Sequence, residues 1–99
     1  MYKTTIEMHP SLDPQNSFDV TFHVELFTNS GLTSLEGVEL YIYPLSNDGQ
    51  KVLFTMEDSK GFFMEVEITS DYPLSLNDWS NVVNHEKANI FEHFKGVIA

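Results

Sequence analysis

Residues 18–27 read Phe-Asp-Val-Thr-Phe-His-Val-Glu-Leu-Phe, and this stretch decides the fold. Apolar side chains recur at every second position from Phe18 to Leu26, with acidic and polar residues between them. Successive side chains of a β-strand point to opposite faces, so the pattern predicts an antiparallel strand with one face in the core. The even-numbered side chains are therefore expected to point inward.

Four further runs of sequence alternate in the same way. They lie at residues 2–8, 38–43, 51–56 and 62–69. Turn-forming residues separate the runs, and Asn47-Asp48-Gly49 is the strongest hairpin signal among them. Because short connections usually join neighbouring strands, we predict a five-stranded antiparallel β-meander.

The period of the apolar residues changes in the C-terminal quarter of the chain, where they recur at helical spacing over residues 75–96. Ser75 or Asn77 is expected to cap this helix. A polar interruption near His85 leaves two alternatives, one long helix or two short ones. With the helix packed on one face of the sheet, residues 1–99 are predicted to form a single α+β domain.

Composition and charge exclude several classes of protein. Fifteen acidic residues stand against five basic ones, all lysine, which gives a formal net charge of −10, and cysteine is absent. The chain therefore has no disulfide and no cysteine ligand for zinc, and direct nucleic-acid binding is disfavoured because it depends on clustered Lys and Arg. No apolar run fits a signal peptide or a membrane span, so we expect a cytoplasmic protein without a membrane partner.

Motifs for catalysis or metal binding are weak. His85 begins a stretch that differs by one residue from the zinc-protease helix motif, because Asn89 stands where the second histidine is needed. His93 lies a further turn along the helix, too far to share one metal ion with His85. We predict no catalytic residue, no metal site and no cofactor.

The predicted outer face of the sheet carries more apolar side chains than a solvated face requires. These are Phe27, Tyr41, Tyr43, Leu53 and Phe63. Carboxylates are interspersed among them, namely Glu25, Glu39, Glu65 and Glu67. Exposed apolar patches mark contact sites, so we predict that these nine residues bind a partner. The alternative is that a loop or the first strand covers them, or that the sheet curls and buries both of its faces.

The charge indicates which kind of partner such a surface accepts. A strongly acidic body associates readily with a basic surface, although acidic charge also serves solubility alone. Our first hypothesis is a non-enzymatic inhibitor that docks on a basic, nucleic-acid-acting protein, similar in type to immunity proteins and phage anti-defence proteins. The alternatives are an accessory module that forms homodimers through its sheet, and a small-molecule-binding domain with a pocket near Trp79, His85 and Glu86.

Overall fold

The computed structural model describes residues 5–8 and 21–97, with side chains described for the second range. The strands are β1 (Thr5–Met8), β2 (Phe22–Asn29), β3 (Glu39–Pro44), β4 (Lys51–Glu57) and β5 (Phe63–Ser70), and the helix is α1 (Leu76–Phe94). All neighbouring strands pair antiparallel. The α+β architecture and the antiparallel sheet are therefore confirmed.

The order of the strands differs from the predicted meander. Along the sheet it is β1-β2-β5-β4-β3, so β2 pairs with β5 rather than with β3. Residues 30–38 connect β2 to β3 across the ends of two intervening strands, a distance of about 14 Å at the usual strand spacing. A segment of this length spans that distance easily, since an extended chain advances about 3.3 Å per residue. The meander prediction holds for the pairs β1–β2, β3–β4 and β4–β5, and it is wrong for β2 and β3, which are not neighbours.

The observed strands also differ in length from the predicted runs. Four strands of six to eight residues carry the described side chains. The N-terminal run contributes only the four-residue β1, which pairs with β2 at one edge. The structure thus has four full strands and one short edge segment where the sequence predicts a five-stranded sheet. Phe18, Asp19 and Val20, at the start of the decisive stretch, lie outside the described residues.

The predicted parity of the strands is confirmed over most of the sheet. The core contains even-numbered side chains of β2, β4 and β5 together with residues of the connections and of α1. Its members are Phe22, Val24, Leu26, Leu32, Val52, Phe54, Met56, Met64, Val66, Ile68, Leu74, Trp79, Val82, Val83, Ile90, Phe91 and Phe94. Phe62 is an exception, because it lies in the β4–β5 turn and is 47% exposed instead of pointing inward.

A β-bulge in β2 reverses this parity near the end of the strand. The register with β5 shifts between Leu26 and Thr28, which leaves Phe27 as the extra residue. Beyond the bulge the odd-numbered Asn29 is buried. Its amide nitrogen donates to the carbonyl oxygens of Phe94 at 3.3 Å and Val97 at 2.9 Å, near the end of α1. The bulge therefore attaches the C-terminal end of the helix to the sheet.

Helix α1 is one continuous element, which settles the alternative left open by the sequence. The Ser75 hydroxyl caps it by accepting a hydrogen bond from the backbone N–H of Asp78 at 3.1 Å. At the polar interruption, the Asn84 side chain donates back to the carbonyl of Ser80 at 2.8 Å. The interruption lies on the exposed side of α1, so the apolar stripe stays in contact with the core. No helix in the described residues is long and apolar enough to cross a membrane.

The N-terminal end of α1 is attached to the β3–β4 turn. The indole N–H of Trp79 donates to the carbonyl of Gly49 at 2.8 Å, and the backbone N–H of Leu74 donates to the same oxygen at 3.1 Å. Gly49 has a φ of +75°, and a Cβ at this position would lie 2.3 Å from the carbonyl oxygen of Leu74. Only glycine fits this approach of two backbone segments.

Gly49→Ala tests the attachment at this end of the helix. The added methyl must push the Leu74 backbone away, so we expect a loss of about 1–3 kcal/mol from overpacking in addition to the strain of positive φ. Gly61→Ala is the matched control, because Gly61 has a φ of +88° with open space around its Cβ position. Urea unfolding of both variants measures the difference, and equal losses would contradict the assignment.

Asn29→Ala tests the attachment at the other end. The substitution removes the side-chain donor to the carbonyls of Phe94 and Val97, and of these two only Phe94 keeps another donor among the described residues, the backbone N–H of Val97 at 2.9 Å. It also removes the Asn29 oxygen that accepts from the N–H of Gly31. We expect a loss of about 1–3 kcal/mol in the free energy of unfolding. Asn84→Ala is the control, since its side-chain bond is exposed and its loss should stay within about 0.5 kcal/mol. A loss at Asn29 no larger than at Asn84 would refute the role of Asn29.

Candidate functional site

The outer face of β3, β4 and β5 brings most of the predicted binding residues together. In the register of these strands, Tyr41 lies opposite Thr55, which lies opposite Glu65. The next row on this face contains Tyr43, Leu53 and Glu67, and the row on the other side contains Glu39, Glu57 and Phe63. Each of the three rows therefore contains both an aromatic and an acidic side chain.

Two tyrosines form the most exposed aromatic part of this face. Tyr41 is 37% exposed and Tyr43 is 50% exposed, so neither the helix nor a described loop covers them. Their rings stack at a centroid distance of 6.5 Å with an interplanar angle of 19°. Stacking limits the freedom of both side chains before anything binds, which makes them rigid contact surfaces.

A shallow cleft of about 270 Å³ lies beside the tyrosine pair. We call it the tyrosine cleft. It is lined by Tyr41, Tyr43, Thr55, Glu57, Phe63 and Glu65. Thr55 is only 7% exposed although it lies on the outer face, so the larger side chains around it form the walls. Its hydroxyl donates to the Glu65 carboxylate at 3.3 Å, which holds that carboxylate in the cleft.

A second cleft of about 270 Å³ adjoins the tyrosine cleft and shares Tyr41 and Glu57 with it. Its other lining residues are Gly37, Glu39, Asp58 and Ser59. The Asp58 carboxylate accepts hydrogen bonds from the N–H groups of Lys60 at 2.9 Å and Phe62 at 3.0 Å, so it serves the β4–β5 turn. The two clefts together form an acidic, aromatic surface at one end of the sheet.

Negative charge is concentrated on this surface at close range. The Tyr41 hydroxyl donates to the Glu39 carboxylate at 2.5 Å, and this bond, together with the charge of Glu39, raises the pKa of Tyr41 above its usual value. Glu39 also lies directly opposite Glu57 in the sheet. Like charges in opposed positions are destabilising, and no lysine or histidine within residues 21–97 pairs with either carboxylate.

Four predicted residues lie away from the clefts. Glu67 lies opposite Glu25 on the same face, and Lys51 partly neutralises Glu67 through an ion pair of 3.5 Å. Phe27 is 38% exposed at the bulge of β2 and lines neither cleft. Leu53 lies on the outer face but is half-buried beside Tyr43. The other predicted residues therefore lie together in the clefts around the tyrosines, whereas these four, on β2, β4 and β5, line neither cleft.

Sequence reasoning missed five residues of the clefts, namely Gly37, Thr55, Glu57, Asp58 and Ser59. Glu57 continues the odd-numbered alternation of the β4 run by one step, and this signal was available in the sequence. Thr55 has the correct parity but no charge or ring to distinguish it. Asp58 belongs to a turn, where alternation carries no information.

The alternative small-molecule pocket near Trp79 is not assembled as the sequence suggests. A cleft of about 310 Å³ does lie at Trp79, but its other lining residues come from the β3–β4 turn, the strand ends that flank it, and the start of α1 with the segment before it, without His85 or Glu86. Asp48 in that turn accepts from the Ser46 hydroxyl at 2.7 Å, which lowers the pKa of Asp48. The side chain of His85 is 77% exposed. Within the described residues, no group of three or more His, Asp or Glu side chains is placed to hold a metal ion.

These features define an acidic two-layer α+β domain with an aromatic cleft on the uncovered face of its sheet. No protein-family model matches this chain, no curated protein matches it in sequence, and no solved structure matches it in fold. The function is therefore argued from the surface itself.

Glu57→Gln tests the electrostatic strain of the surface. Removing one of two opposed charges should stabilise the fold by about 0.2–1 kcal/mol, and added salt should reduce the gain. The control is Glu92→Gln on α1, where Glu92 pairs with Lys95 at 2.7 Å and its loss should be neutral or slightly destabilising. Urea unfolding at low and high salt measures both effects. A destabilised Glu57→Gln variant would show that the opposed carboxylates are not strained.

Proposed function

We propose that this chain is a non-enzymatic inhibitor or antagonist that docks the outer face of its sheet on a basic protein, such as one that acts on nucleic acid. The observation that carries the proposal is the tyrosine cleft, where three aromatic side chains lie among two carboxylates on an uncovered sheet face. Aromatic anchors supply contact area, and carboxylates select a cationic counterpart.

The charge of the whole chain favours the same kind of partner. A formal net charge of −10 on 99 residues repels phosphate backbones and acidic proteins and accelerates encounter with a basic surface. The opposed pair Glu39–Glu57 adds a local reason, since a cation placed between these carboxylates relieves their repulsion. The electrostatic free energy of these two carboxylates is therefore higher in the free protein than in a complex that places a cationic group between them.

Inhibition follows from occupation of the basic surface. If the target uses that surface to hold nucleic acid, the acidic face excludes the nucleic acid sterically or substitutes for its charge. The two mechanisms differ in one respect that an experiment can measure. Charge substitution requires that a polyanion such as heparin competes with this chain for the target, whereas occlusion beside the nucleic-acid site does not.

The double variant Tyr41→Ala/Tyr43→Ala tests the docking surface. Bacterial lysates are passed over the immobilised chain, captured proteins are identified, and the purified target is titrated with wild type and variant. We expect the variant to bind at least about 10-fold more weakly, because the aromatic anchors are lost. Binding by the wild type should also weaken as salt rises.

Tyr72→Ala is the matched control, since Tyr72 is 53% exposed but lies in the segment after β5, away from the tyrosine cleft. It should bind like the wild type. Circular dichroism and urea unfolding verify that each variant folds. A folded double variant that binds the target as tightly as the wild type would remove the outer face from the proposed function, and binding that ignores salt would remove the electrostatic part.

A further inference from the structure

Strand β3 lies at the end of the sheet, and its free edge is open. The strand order places β4 on one side of it, and within the described part of the chain no strand lies on the other. An open edge presents backbone N–H and C=O groups that readily pair with an added strand. The groups that point outward at this edge follow from the hydrogen-bond register.

One hydrogen bond just beyond the end of β3 shows which residues of the strand bond to β4. The N–H of Leu45 donates to the carbonyl of Lys51 at 2.9 Å, which makes these residues a hydrogen-bonded pair. Hydrogen-bonded and non-hydrogen-bonded pairs alternate in an antiparallel ladder, so the odd-numbered residues of β3 bond to β4. The N–H and C=O groups of Leu40 and Ile42 therefore point to the open edge.

Bonds on the other side of β4 agree with this register. Gln50 accepts from the N–H of Ser70 at 2.7 Å, and the N–H of Asp58 donates to Phe62 at 2.9 Å. The even-numbered residues at both ends of β4 thus bond towards β5, which leaves the odd-numbered ones to bond to β3. Pro44 occupies an edge-facing position at the end of β3, where its missing N–H leaves the ladder to β4 intact.

The two faces of β3 differ in chemistry. Tyr41 and Tyr43 stand on the outer face beside the carboxylates of the tyrosine cleft. Leu40 and Ile42 stand on the inner face, where they are only partly buried against the core. A strand added to this edge would place alternate side chains over the acidic aromatic face and over these two apolar residues.

We propose that the β3 edge binds an extended segment of the partner in which basic and apolar residues alternate. The segment pairs its backbone with Leu40 and Ile42, places lysine or arginine over the tyrosines and the carboxylates Glu39 and Glu57, and packs its apolar residues on the inner side. This inference rests on the proposed function and specifies how the partner is recognised.

Charge selects a basic segment rather than a second copy of this chain. A second copy brings another net charge of −10 to an edge that is already acidic, and β3 itself contains no lysine. Pro44 also lacks one of the donors that a symmetric pairing of two β3 strands around Ile42 would use. A basic segment meets neither obstacle.

A synthetic peptide in which lysine and valine alternate is the probe, with a peptide of the same composition in block order as its control. We expect the alternating peptide to bind at least about 10-fold more tightly, since only alternation matches the two faces. Hydrogen exchange by NMR should show the amide protons of Leu40 and Ile42 exchanging more slowly in the complex, with little change at Tyr41 and Tyr43. Equal binding of the two peptides, or no protection at Leu40 and Ile42, would overturn strand addition.

Ile42→Pro removes an edge-facing donor without removing a bond to β4, and Ile42→Val is its control. Loss of peptide binding in the first variant alone supports the proposal, and equal binding by both folded variants contradicts it. If Ile42→Pro fails to fold, N-methylation of alternate peptide amides makes the same test on the unaltered protein. Dimerisation of the wild type, measured by light scattering, would replace the basic segment with a second copy.

The outcomes also separate this inference from the proposed function. If the tyrosine variants lose the captured target while Ile42→Pro still binds it, docking through the face stands and strand addition fails. If neither set of variants affects the target, both fail.

Discussion

Two side-chain-to-backbone attachments hold the helix on one face of the sheet, and the rest of the structure depends on them. Trp79 fixes the start of α1 to the carbonyl of Gly49, and Asn29 fixes its end through the carbonyls of Phe94 and Val97. Between these points the apolar stripe of α1 closes the core. The only described helix packs on the inner face, so no element among the described residues covers the outer face of the sheet or the β3 edge.

The local pattern predicted most of the strand side chains that enter the core, but it did not predict that β2 pairs with β5. Alternation specifies the two faces of each strand, and it placed Val24, Phe54 and Val66 inward. Strand order depends on where a connection crosses, and residues 30–38 carry no signal that separates a hairpin from a crossing. Leu32 in that connection is buried in the core, outside any alternating run.

The same limit applies to the candidate site, where the sequence predicts the face on which a residue lies but not its neighbours on the adjacent strands. Parity placed Tyr41 and Tyr43 on one face, which the structure confirms, yet the cleft beside them depends on register with β4 and β5. A single sequence does not contain that register, so the small uncharged Thr55 was missed, whereas Glu57 could have been found by extending the β4 alternation by one step. The bulge at Phe27 was equally invisible, because one inserted residue changes parity without changing composition.

The opposed carboxylates connect the stability of the fold to its proposed role. Glu39 faces Glu57 across the β3–β4 pair, and Glu25 faces Glu67 across the β2–β5 pair, where Lys51 offsets part of the repulsion. Selection for stability alone favours opposite charges at such positions. Repulsion retained beside exposed tyrosines is what a surface built to receive cations requires, because the unbound state is raised relative to the complex. Solubility alone does not explain the opposed pairs, since it needs only net charge, whereas the proposed docking on a cationic partner gives them a role.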